Sequence, residues 1–295
     1  MQRHLVKKVK GMPASDGAGV KLKRVIGQPQ LGELDPFMLL DDFRNNDPKA
    51  YAAGFPPHPH RGFETVTYML EGKMEHQDSA GNKGLLDDGG MQWMTAGAGI
   101  LHSEMPKQTD GRLWGFQLWV NLPSHLKMTK PRYQDIPSKD IPEVKGKGFK
   151  VRVLAGQFQG QAGAAETLTE VSYLDVHLDG GSRVDIEIPD GHNLVVFAYS
   201  GRVKALGLPD SSDAESDWIE DGSAGVFQGD GNLTLYARES ARALVISGKP
   251  LNEPVARHGP FVMNTHQELV QAVEDYNAGK LAPNQWNFLS KGAWY

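Results

Sequence analysis

The sequence predicts an all-β protein: two antiparallel β-sandwich or jelly-roll domains followed by a C-terminal helix. Three observations predict it. Strand-type runs rich in β-branched and aromatic residues recur about every 8–12 residues, with Gly-bearing turns between them. The 34 Gly and 18 Pro among 295 residues are scattered rather than clustered, which suits many short strands and argues against a helical bundle. Only one stretch, near residue 265, carries a full set of helix signals.

Along the chain, residues 20–45 alternate loosely and include Leu39-Leu40-Asp41-Asp42-Phe43, read as a short strand running into an acidic turn. Thr65 to Met69 is a β-branched and aromatic strand. Glu71-Gly72-Lys73 is a hairpin signal, and Met74 to Asp78 is the returning strand. Gln92 to Thr95 and Leu113 to Val120 follow; the latter is apolar on both faces, as a strand buried from both sides would be. Residues 123–148 carry four prolines, several lysines and little periodicity, so the domain boundary is expected there, dividing a domain 1–130 from a domain 131–295. The strand rhythm resumes at Lys150–Leu154, Val171–Val176, Asn193–Tyr199 and Ala243–Ile246. Thr265-His266-Gln267-Glu268 fits a capping box, with Leu269, Val273 and Tyr276 on one face and Gly279 as the stop; this helix is read as packing.

Composition excludes several function classes. A formal charge of −5 gives no overall pull toward nucleic acid or anionic lipid. Zero cysteines exclude disulfides, thiolate catalysis and Cys-ligated metals, so any metal must be held by His, Asp, Glu or backbone oxygen. No apolar run approaches the ~18 residues of a membrane span, and the first residues lack a secretory apolar region. A cytoplasmic monomer that binds neither nucleic acid nor membrane is the expectation.

Chemistry concentrates in Gly54-Phe55-Pro56-Pro57-His58-Pro59-His60-Arg61-Gly62-Phe63-Glu64 and in Gly99-Ile100-Leu101-His102-Ser103-Glu104. In extended chain, residues i and i+2 share a side, so His58 can converge with His60, and His102 with Glu104. Two such strands facing inward in one barrel make four ligands. Three neutral imidazoles and a carboxylate suit a divalent first-row ion and leave about two octahedral positions open. In the second half, His177 and His192 lack this spacing, so one metal per chain is expected. His76 reads as a solvent-exposed hairpin histidine, and Gly97 and Gly99 as turn glycines.

The combination of His58-Pro-His60-Arg-Gly-Phe-Glu with Gln92-Trp-Met-Thr-Ala-Gly and Gly99-Ile-Leu-His102-Ser-Glu104-Met resembles the pirin family of the cupin superfamily. Gly72 stands one residue late for the general cupin pattern, and Gly97 stands where the second pattern has Pro. The resemblance implies a bicupin with one iron-type site in its first domain. It places the metal on His58, His60, His102 and Glu104, with Glu64 beside the site rather than on the ion. Fe(II) is the implied metal, with Mn, Ni, Cu or Zn as alternatives. Members similar to this chain divide into quercetin 2,3-dioxygenase-like enzymes, which open a flavonol with O2, and non-enzymatic regulators that act through metal- and redox-dependent protein partners. The enzyme reading makes Glu104 the catalytic base and Phe55, Phe63, Trp93 and Phe116 candidates for an apolar substrate pocket.

Overall fold

The computed structural model describes residues 3–206 and 217–281. Among them, two domains repeat one plan, a seven-stranded antiparallel sheet backed by a smaller one. The first large sheet runs Arg132–Ile136, Met91–Thr95, Phe63–Glu71, Leu113–Asn121, Phe37–Asn45, Val20–Ile26, Met12–Asp16. Its companion sheet has the order Phe55–His60, Ile100–Pro106, Met74–Asp78, Lys83–Leu86. The second large sheet runs His4–Lys10, Ser223–Gln228, Asn193–Ser200, Ala241–Gly248, Val171–Leu178, Phe149–Ala155, Glu143–Gly146, backed by Ser182–Ile186, Leu233–Ala237 and Lys204–Leu206. The fold is the all-β bicupin with a C-terminal helix. No helix among the described residues is long and apolar enough to cross a membrane.

The large sheets press against each other, and one core cluster spans both. Val66, Trp93, Phe116 and Leu118 from the first meet Leu154, Val195, Phe197 and Leu244 from the second. Each large sheet is therefore covered on both faces. This explains the doubly apolar strand Leu113–Asn121: Phe116 and Leu118 face the other domain, while Gln117 and Trp119 face the interior of their own. It also overturns the acidic turn expected at Asp41-Asp42. Phe37–Asn45 passes straight through that point as a nine-residue strand. Asp41 is tied to Arg24 by bonds of 2.9 and 2.8 Å, and Asp42 accepts from Trp114 Nε1 at 3.2 Å and from Arg44. Paired carboxylates tolerate a strand interior that bare ones would not.

The chain crosses the 130/131 division in both directions. The strand His4–Lys10 pairs with Ser223–Gln228 of the second sheet, and Arg132–Ile136 extends the first. After residue 248 the chain returns to the first domain. Phe261, Met263, Leu269, Ala272 and Leu281 pack on Leu101, and Arg61 pairs with Asp275 at 2.8 Å. The helix His266–Asn277 carries the expected capping box: Thr265 accepts from the Glu268 amide, and the Glu268 carboxylate accepts from the Thr265 amide at 2.8 Å. Its packing partner is the first domain, not the second.

A polar network is set into the seam between the large sheets. Asp175, fully buried, accepts from the Tyr68 hydroxyl at 2.7 Å, from the Tyr199 hydroxyl and from His177 at 3.0 Å, and Arg152 donates to the Tyr68 oxygen at 2.6 Å. Burial opposes the charge, yet these three donors together hold the Asp175 carboxyl below the usual carboxylate range. Asp175→Asn removes the charge and turns half of the acceptor into a donor. It is expected to lower stability by about 1–3 kcal/mol, read as a fall in melting temperature; an unchanged melt would show that the network does not hold the domains.

Candidate metal centre

His58 and His60 stand on Phe55–His60, with Pro56, Pro57 and Pro59 between and before them. Proline donates no backbone hydrogen bond, and the pairing with Ile100–Pro106 slips here: His102 lies opposite His58, but Glu104 lies opposite Phe55. The direct His58–His102 pairing brings these two imidazoles together, tilted and meeting through their Nε2 atoms, and the i, i+2 rule brings His60 to the same side. Ring centroids lie 4.6 Å apart for His58–His60, 4.4 Å for His58–His102 and 4.9 Å for His60–His102. One nitrogen of each ring lies within 4.8 Å of the other two. Among the described residues this is the one such grouping of three or more His, Asp or Glu.

Burial keeps two of these rings neutral. His60 and His102 are buried, and burial, reinforced by the neighbouring imidazoles, pushes both well below the ordinary histidine range. His58 is half-buried and opens to the cavity. Its Nδ1 donates to the Pro56 carbonyl at 2.8 Å, so its Nε2 carries a lone pair, 3.0 Å from His102 Nε2. His102 Nδ1 and His60 Nδ1 have no hydrogen-bond partner. Either tautomer of His102 therefore leaves a buried nitrogen unsatisfied, or two lone pairs facing each other. A divalent cation accepting the facing Nε2 lone pairs would remove the opposition between His58 and His102, and the donor set fits such an ion.

Glu104 is buried beside the trio and lines the same cavity as His58 and His60. Its Oε1 accepts from the Thr67 hydroxyl at 2.7 Å, and Thr67 in turn meets the Gln117 side chain at 2.8 Å. The Thr67 hydroxyl thus stands within donating distance of both Glu104 Oε1 and Gln117 Oε1, and its one proton serves one of them at a time.

Several expectations are corrected around this centre. Glu64 points away from it: it shares a face with Val66 and Tyr68, toward the second domain, and accepts from Thr95 at 2.6 Å. Phe63, Thr67 and Met69 are among the residues of that strand that face inward. His76 is buried rather than exposed. It sits opposite Glu104 in the sheet, meets Asp135 at 3.0 Å and stacks on Tyr133. Of the four aromatics expected at a pocket, Phe55 lines it, Trp93 and Phe116 fill the interdomain seam, and Phe63 packs behind His60 and Trp119. The cavity itself, about 450 Å³, is walled by Phe43, Phe55 and Trp119. Phe43 and Trp119 were masked in the sequence by doubly apolar strands, where nothing local says which face is inward.

Asp175 and His177, on one strand face in the second domain, are engaged in the seam network, and His192 meets Glu170 at 3.3 Å. A family model described as Pirin matches residues 19–120, and one described as Pirin C-terminal cupin domain matches residues 173–282. A Pseudomonas aeruginosa protein with the provisional name quercetin 2,3-dioxygenase is 49% identical over 278 residues, covering 92% of this chain and 95% of the relative. Pirin of Homo sapiens is 43% identical over 269 residues, 90% of this chain and 89% of the relative. The crystal structure of quercetin 2,3-dioxygenase from Acinetobacter baumannii superposes with a TM-score of 0.86 at 35% identity, covering 95% of this chain and 99% of that one.

Metal analysis of the full chain purified without added metal is expected to give at most one equivalent. His58→Ala combined with His60→Ala should bring it near zero; an equivalent surviving that double substitution would place the metal elsewhere.

Proposed function

The chain belongs to the pirin family, and from that premise we propose that it is a metal-dependent dioxygenase resembling quercetin 2,3-dioxygenase, acting on a flavonol-like aromatic substrate. The observation that carries the reading is the convergence of three imidazoles on a cavity with aromatic walls, which Glu104 also lines. His58, His60, His102 and Glu104 would hold the ion, Fe(II) first among the divalent candidates, with Mn, Ni, Cu and Zn also compatible with the donors. When bound, the ion supplies Lewis acidity for the substrate hydroxyl and the affinity for dioxygen that organic side chains lack.

The remaining work falls to the chain. The apolar walls of Phe43, Phe55 and Trp119 take up a flat aromatic skeleton and exclude water. Glu104 accepts the flavonol 3-hydroxyl proton, turning a poor electron donor into an enolate-like one that dioxygen can attack. Thr67 donates to the Glu104 carboxylate and orients it before substrate arrives. His60 is wedged between Phe63 and Trp119, at ring distances of 5.0 and 5.4 Å, which leaves its imidazole little freedom to turn.

Quercetin supplied with O2 to the metal-loaded full chain should be consumed with release of carbon monoxide. Absence of turnover at full metal occupancy would contradict the enzyme reading, and a specific captured protein partner would then favour the regulatory one. Glu104→Gln keeps the shape and one acceptor oxygen but loses charge and basicity. It should weaken metal binding and lower turnover by ~10²-fold or more; unchanged metal content and rate would remove Glu104 from the mechanism.

A further inference from the structure

The cavity has a cation at its mouth that the proposed chemistry does not use. Arg257 belongs to the short strand Ala256–His258 of the returning C-terminal segment and lines the cavity together with Gly259 and Pro260. Its guanidinium lies over the Trp119 ring, 4.8 Å from the centroid, while His60 packs against the same indole. The side chain is exposed, and its described hydrogen bond is a long one, from Nη1 to the Met38 carbonyl at 3.3 Å. Among the described residues it forms no ion pair.

Of the carboxylates whose charge reaches Arg257, which are Glu33, Asp16 and Asp41, the last two are already engaged. Both Asp41 oxygens are taken by Arg24, and Asp16 accepts from Arg24 at 2.7 Å and from the Gly17 amide at 2.8 Å. Arg24 thus engages both carboxylates and offsets one of their two charges, and Arg257 keeps donors to spare in the lining of an aromatic-walled cavity that His58, His60 and Glu104 also line. A guanidinium pre-oriented by stacking, with unspent N–H groups, is suited to bidentate capture of a carboxylate.

We infer that Arg257 determines specificity, selecting aromatic ligands that carry a carboxylate on the end of the skeleton remote from the three histidines. The inference rests on the aromatic-substrate reading above and narrows its substrate class. The anion sits against Arg257 at the mouth, the rings lie along Phe43, Phe55 and Trp119, and the hydroxyl to be ionised reaches Glu104.

The test is calorimetric titration of the metal-loaded full chain, without oxygen, with two probes: a 3-hydroxyflavone bearing a 4′-carboxylate and the matching 4′-carboxamide. The wild-type chain should bind the carboxylate about tenfold more tightly, a preference that shrinks as salt is raised. Arg257→Gln should erase the preference by weakening the carboxylate alone, and Arg257→Lys should keep part of it. Equal affinities in the wild-type chain, or a preference that survives Arg257→Gln, would overturn the inference while leaving the aromatic-substrate reading intact. Binding of neither probe would overturn both.

Discussion

Two seven-stranded sheets lie face to face through the middle of the molecule, with Phe116 and Phe197 rings 6.0 Å apart in the seam. This contact decides which side of every long strand is left for chemistry. With one face of the first sheet committed to the second domain, the interior of the first barrel belongs to the other face, and there Thr67, Gln117 and Trp119 meet the histidine-bearing sheet. Alternation does the sorting: Glu64, Val66 and Tyr68 go to the seam, and the residues between them go to the cavity. A second domain with no comparable histidine cluster among its described residues still serves the first by covering its sheet.

The first domain is completed by segments distant in sequence. Residues 256–281 cross back and lie against the strand that carries His58 and His60. Gly62, two residues after His60, has φ +89°, and a Cβ there would stand 1.9 Å from the Val262 carbonyl. That close approach lets Lys127 reach the carbonyls of both Gly62 and Val262, at 2.8 and 3.0 Å, with Asn121 as its third acceptor. Three acceptors for the three ammonium protons offset the cost of burying this lysine. The same returning segment supplies Arg257 to the cavity mouth, so the cavity owes its inner end to residues 58–104 and its rim to residues 257–260.

What the sequence made legible is what local spacing encodes. His58 and His60, and His102 and Glu104, are each two apart on extended chain, and Thr265 and Glu268 sit three apart at a helix start; both patterns name their partners within a few residues. The misses share a cause. Asp41 and Asp42 looked like a turn because the arginines and indole that pair with them lie elsewhere in the sequence or outside the motif. His76 looked exposed because Asp135, its partner, is on another strand 59 residues on. Asp175 carries no local signal of its role, because its face meets Tyr68 of the other domain. The pairing of His4–Lys10 with the second sheet has no local signal at all, since nothing in a strand's own residues says which edge it will join.

The central proposal is that His58, His60 and His102, whose rings the fold brings together, share one divalent ion. Burial keeps His60 and His102 neutral, and orientation comes from proline-stiffened backbone and from the rings packed behind His60. X-ray absorption spectroscopy at the metal edge of the iron- or nickel-loaded full chain tests this most directly. The account predicts a shell of nitrogen and oxygen donors at roughly 2.0–2.2 Å, the range for imidazole and carboxylate ligands, with the outer-shell scattering of three imidazole rings. An all-oxygen shell without imidazole scattering would contradict it.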